Sequence, residues 1–152
     1  MADKKVFESD IEELWFKFII YAQLFLTAIA SVAAGVMMIT GKLYGEEADK
    51  VLERFKGLRT LDIALGIVMI LIAAFALFVR IQLTKYSLNA PMLYYILQGA
   101  IIAVSIAYPG ISSAIIKQST FSATSIITIA VSIVFLVISI IFFNRNYKLF
   151  LD

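Results

Sequence analysis

The sequence predicts an all-α integral membrane protein: four transmembrane helices in a bundle, with an amphipathic N-terminal helix and an amphipathic first loop. Three observations carry this. The chain of 152 residues is 62% hydrophobic and only 16% charged, whereas average soluble domains are about half apolar and a quarter charged. Mean hydropathy is +0.95. From Tyr86 to Asn144 the only charged side chain is Lys117, and one lysine in so long an apolar run is tolerated best at a bilayer surface, where its stem reaches the headgroups. A spanning helix takes roughly 20 apolar residues. Four spans, at about 18–40, 61–80, 91–108 and 121–143, then make a single transmembrane domain over residues 1–152.

The N-terminal residues Met1 to Lys17 read as a short helix along the membrane surface. Phe7, Ile11, Leu14 and Phe18 recur at spacings of four, three and four, with the acids largely off that stripe. Ser9 and Glu12 have capping-box spacing, and Trp15 marks the interface. The segment does not read as a secretory signal, because its first thirteen residues hold five acids against two lysines. The first span, Phe18 to Thr40, carries Gln23, Thr27, Ser31 and Ala34 on one face, with Gly35 beside it. Small and weakly polar residues in a spanning helix mark the side packed on other helices.

Residues Gly41 to Thr60 mix both signs of charge with a narrow apolar stripe of Val51 or Leu52, Phe55 and Leu58. This predicts a short amphipathic helix on the membrane surface, interrupted at Gly57. The second span follows, bracketed by Asp62 and Arg80. Arg80 snorkels, and Asp62 has two readings: an N-terminal cap complementing the helix dipole, or a functional intramembrane acid. Asn89 and Pro91 signal the start of the third span, and Pro109-Gly110 closes it in a tight turn reaching Phe121. Its two faces differ. Tyr94, Gln98, Ile101, Ser105 and Tyr108 form one, and Gly99, Ala103 and Ala107 the other, so it reads as a central helix. Tyr94, Tyr95 and Tyr108 match aromatic belts near its two ends. On the fourth span Ser125, Thr128, Ser132 and Ser139 share a stripe, with the serines one heptad apart, the spacing of a helix–helix seam. Arg145 and Lys148 then anchor the interface, where Tyr147 and Phe150 dip back.

Composition excludes several functions. With no cysteine and no histidine, thiol catalysis, thiolate zinc sites and histidine-ligated haem are absent. A net charge of +2 leaves no electrostatic footprint for nucleic acid. No phosphate loop, dinucleotide fingerprint or EF-hand spacing is present, and no base stands by the serines except Asp62. The expectation is therefore a protein without catalytic residues, cofactor or metal. It acts as an accessory or interaction subunit in a membrane complex, with membrane lipids and a protein partner or homo-oligomer as its partners. An oligomeric small transporter or channel and a lipid-binding membrane protein are the alternatives. The polar positions that matter under any of these readings are Gln23, Asp62, Arg80, Gln98, Ser105, Ser125, Thr128 and Ser132. Four spans put both termini on one side. Lys117 stands alone between the last two spans, so positive-inside counting of short loops places the termini in the cytoplasm of a cell-membrane protein.

Overall fold

The computed structural model describes residues 10–117 and 122–150, with side chains throughout except at 43, 44, 48, 51 and 52. The expected contributions of Phe7, Ser9, Val51, Leu52 and Phe121 lie outside what is described. Every regular element among the described residues is helical. Four stretches, Asp10–Glu47, Lys56–Thr84, Ala90–Ile116 and Ala123–Arg145, contain helices long and apolar enough to cross a membrane.

The first is built from α1 (Asp10–Phe18), a π turn (Ile19–Gln23) and α2 (Leu24–Thr40). Phe18 and Gln23, at the two joints, keep right-handed helical backbone, so the amphipathic lead-in is the outer end of the spanning helix rather than a separate one. Its apolar stripe points outward: Ile11 is 80% and Leu14 69% exposed, while Glu12 and Phe16 are buried. A stripe expected to meet a membrane is expected on the outside of the protein. Against hydrocarbon an apolar face can be the outside, so periodicity finds a stripe without telling which side packs. Phe16 turns inward because Tyr86, Phe142 and Phe150 await it, with ring centroids 5.3 to 6.3 Å away. Glu12 turns inward to an ion pair with Arg145 Nε at 3.2 Å.

Gly41 ends α2 in the left-handed conformation, φ 77°, which glycine adopts freely. A 3-10 segment (Lys42–Glu47) and α3 (Ala48–Arg54) lead to α4 (Lys56–Thr84). The interruption falls at Phe55, φ −124° and ψ 77°, and not at Gly57, which lies inside α4. This helix starts ahead of the expected span, so Asp62 sits more than a turn inside it and does not cap it.

Helix α5 (Ala90–Ile116) begins with Pro91 in its first turn, as expected, yet it runs through Pro109-Gly110 and stops only at Lys117, φ 62°. Proline removes one helical N–H, but in an apolar surrounding a full break would orphan many more backbone groups. The hydroxyls of Ser112 and Ser113 both donate to the Pro109 carbonyl, which helps hold the turn after the proline. Helix α6 (Ala123–Arg145) is capped by Ser122, whose Oγ accepts the Ser125 N–H at 3.1 Å. A 3-10 turn (Tyr147–Phe150) then buries Leu149 and Phe150, while Tyr147 stays exposed.

The helices pack in chain order: α2 on α4, α4 on α5, α5 on α6. The closest crossing is glycine on glycine. A Cβ on Gly35 would stand 2.7 Å from the Gly66 carbonyl oxygen, and one on Gly66 would stand 2.9 Å from that of Gly35. The small face of α5 is not used this way, because space around Gly99 and Gly110 is open. The core concentrates where the described chain begins and ends, around Phe16, Tyr94, Phe142, Phe143 and Phe150. There α1 reaches α6 through Trp15 and Phe18, 4.9 and 6.3 Å from Phe135. Beyond that point α2 and α6 make no comparable interface among the described residues.

Candidate functional site

The gap between α2 and α6 is floored by α5 and holds two adjoining cavities of about 370 and 280 Å³ that share Ala34 and Met69. Three faces that are separate in sequence meet there. Helix α2 contributes Thr27 and Ser31, with Gln23 from the π turn. Helix α5 contributes Gln98 to the first cavity and Ser105 and Tyr108 to the second. Helix α6 contributes Ser132 to the first and Ser125 and Thr128 to the second. Periodicity produces each face, because residues three and four apart share a side of a helix. No charged side chain lines either cavity.

The hydroxyls are largely satisfied within their own helices. Ser105 donates to the Ile101 carbonyl, Thr128 to that of Thr124 and Ser132 to that of Thr128, each at 2.8 Å. Such back-bonding lets a hydroxyl sit in an apolar setting and still offers a lone pair to the cleft. The amides behave differently. Tyr94 Oη donates to Gln23 Oε1 at 2.9 Å, which leaves the Gln23 amide nitrogen as a second donor group. Gln98 is 3% exposed, and its Nε2, with the Tyr94 hydroxyl nearby, makes no hydrogen bond of good geometry among the described residues. An unmet donor in a low-dielectric site is costly, so Gln98 marks where the cleft has most to gain from an incoming oxygen.

Asp62 is fully buried beside the second cavity, and its Oδ1 accepts the Tyr108 hydroxyl at 3.0 Å. Tyr108 thus stands between the carboxylate and the cleft. Arg80 is the outlier. It lies away from the cleft, with its Nε donating to the Ile20 carbonyl at 3.0 Å and its guanidinium over Phe25 at 4.4 Å. The structure therefore gathers Gln23, Gln98, Ser105, Ser125, Thr128 and Ser132 into one cleft, sets Asp62 behind it, and excludes Arg80. Tyr94 and Tyr108 do not serve as belts: Tyr94 is buried, and both hydroxyls bond inside the protein. The signal was present, because both share the face of Gln98 and Ser105. No three acidic side chains come together to hold a metal among the described residues.

Fold and cleft together define a class: an all-helical protein with four helices able to cross a membrane, which points to a membrane location. Beyond that class, comparison with known proteins adds no family: no family model, curated protein or solved structure matches the chain.

Proposed function

We propose that the protein is a non-catalytic interaction subunit of a complex in the cell membrane, with both termini cytoplasmic, and that the cleft between α2 and α6 seats a spanning helix of another polypeptide. One observation carries this reading: three polar faces converge on a gap that the chain's own helices leave unfilled. Small residues and hydroxyls are what helix interfaces in lipid are made of. Ser125 and Ser132, one heptad apart and both in the cleft, repeat as a left-handed helix seam requires. The unmet amide of Gln98 adds a donor for a partner's carbonyl or hydroxyl.

Because the chain has no cysteine, a single Ser132→Cys change gives one defined reactive point. Cross-linking it in native membranes is expected to yield one adduct of discrete mass, whereas Ile127→Cys, on the exposed side of α6, yields none. Equal behaviour of the two variants would remove the cleft as a docking seam. A second reading, an oligomeric transporter or channel, is favoured by the run of polar groups from Gln23 to Thr124 along the cleft. It predicts an adduct of twice the chain's mass and solute flux into proteoliposomes, and flux that Gln98→Leu leaves untouched would count against that path.

A further inference from the structure

On the α2–α4 pair, away from the cleft, lies a groove of about 790 Å³ that the bundle core does not fill. Its lining is wholly apolar: Ala28, Ile29 and Ala33 of α2 face Ala73, Ala74 and Leu77 of α4, and Phe25 stands at one end. Above Phe25 sits Arg80. The guanidinium lies 4.4 Å from the Phe25 ring centroid and 5.9 Å from that of Tyr21. Its Nε is committed to the Ile20 carbonyl at 3.0 Å, an oxygen offered by the π turn, a feature frequent at functional sites. Two rings and one hydrogen bond thus orient the guanidinium, which leaves the terminal N–H groups as a fork. Lys17, one turn ahead of Tyr21, is already paired with Glu13 at 2.9 Å, and Lys85 lies five residues beyond Arg80, at the C-terminal cap of α4. No carboxylate pairs with Arg80 among the described residues.

We infer that this groove binds a glycerophospholipid of net negative charge, its phosphate on the Arg80 guanidinium and an acyl chain along the groove. The dimensions agree. From Arg80 to Ile70, the far end of the groove lining on α4, is roughly 15 Å at 1.5 Å per residue, which is half of a ~30 Å hydrocarbon core and so one leaflet deep. Charge agrees as well. Arg80 presents a cation with no carboxylate paired to it among the described residues, and a planar guanidinium matches a phosphate with two parallel hydrogen bonds. A headgroup carrying its own ammonium would bring a second cation beside Arg80, which disfavours a zwitterionic lipid. The inference is independent of what fills the cleft, since groove and cleft share no lining residue.

The test uses the whole chain in mild detergent, with dioleoyl phosphatidylglycerol as the probe and native mass spectrometry as the readout. One lipid per chain is expected to survive detergent exchange. Arg80→Gln should lower the retained fraction about tenfold, the scale of one charge-assisted contact. Ala74→Phe, which fills the groove without touching Arg80, should lower it comparably, so a folding defect at Arg80 is not the only route to loss. Phosphatidylcholine should be retained less. Equal retention by wild type and both variants would mean an unspecific annulus and would overturn the site. Equal retention of dioleoylglycerol would show that no phosphate is recognised, and displacement of the lipid by inorganic phosphate would show an anion site without a chain groove. Either result defeats the inference.

Discussion

Two tyrosine hydroxyls and two amides decide how the cleft behaves at the scale of single residues. Tyr94 and Gln23 satisfy one another, and Tyr108 satisfies one oxygen of Asp62, whereas Gln98 Nε2 is unmet. Intramembrane hydrogen bonds contribute about 0.6 kcal/mol on average and up to ~1.7. Tyr108→Phe should therefore lower stability by about 1 kcal/mol, and a double-mutant cycle with Asp62→Asn should show coupling of the same order. Gln98 should run the other way. Gln98→Met removes an orphaned donor while keeping volume, so unfolding in detergent is expected to show unchanged or greater stability, by up to about 1 kcal/mol. The Ser132→Cys adduct should weaken in the same variant. Stability kept while contact is lost would mark Gln98 as a residue held for a partner; a clear loss of stability would show that it serves the fold. Sequence alone found seven of the polar positions at or beside the cleft, because three- and four-residue spacing is visible in a string. It could not show that Arg80 belongs elsewhere, since proximity to Phe25 and Ile20 depends on how two helices cross.

The helices were legible in number and poorly legible in extent. Four apolar runs of spanning length can hardly be read otherwise, and Gly41 and Pro91 punctuate them as backbone physics demands. The misses lie at helix ends. In an apolar surrounding a full break at Pro109 would orphan backbone groups that no water takes up, so α5 outruns its proline. Gly57 falls in the first turn of α4, because the break comes two residues earlier, at Phe55. Glycine shows the contrast most clearly. Gly35→Ala and Gly66→Ala put a Cβ against opposing backbone at 2.7 and 2.9 Å, and each is expected to cost about 1–3 kcal/mol of overpacking. Gly99→Ala meets nothing within 4 Å and should be neutral or stabilising by up to about 1 kcal/mol through helix propensity. Unfolding of the three variants under one detergent condition checks this. A Gly99→Ala protein that is folded yet elutes as a smaller assembly would show that the open face of α5 meets a neighbour.

Across the whole molecule the packing order explains why a cleft exists. Each helix rests on the next in the chain, and among the described residues the ring is closed between the first and last at one end, by Trp15 and Phe18 on Phe135 and by Glu12 on Arg145. That closure brings residues 12 and 145 together, so the two ends of the described chain lie at one end of the bundle. It also places Lys42 to Arg54 at the opposite end from Tyr147. The sidedness can be read by chemistry, because a cysteine-free chain takes single reporters cleanly. Cysteines replacing the exposed residues Glu46 and Tyr147 should react with a membrane-impermeant maleimide from opposite faces of a sealed vesicle. With the expected orientation, Tyr147→Cys is labelled in inside-out vesicles and Glu46→Cys in right-side-out ones. The reverse pattern would keep the fold and invert its orientation. Labelling of both from the same face would contradict the four-pass arrangement, and with it the placement of Gln23, Gln98 and Ser132 at membrane depth on which the cleft depends.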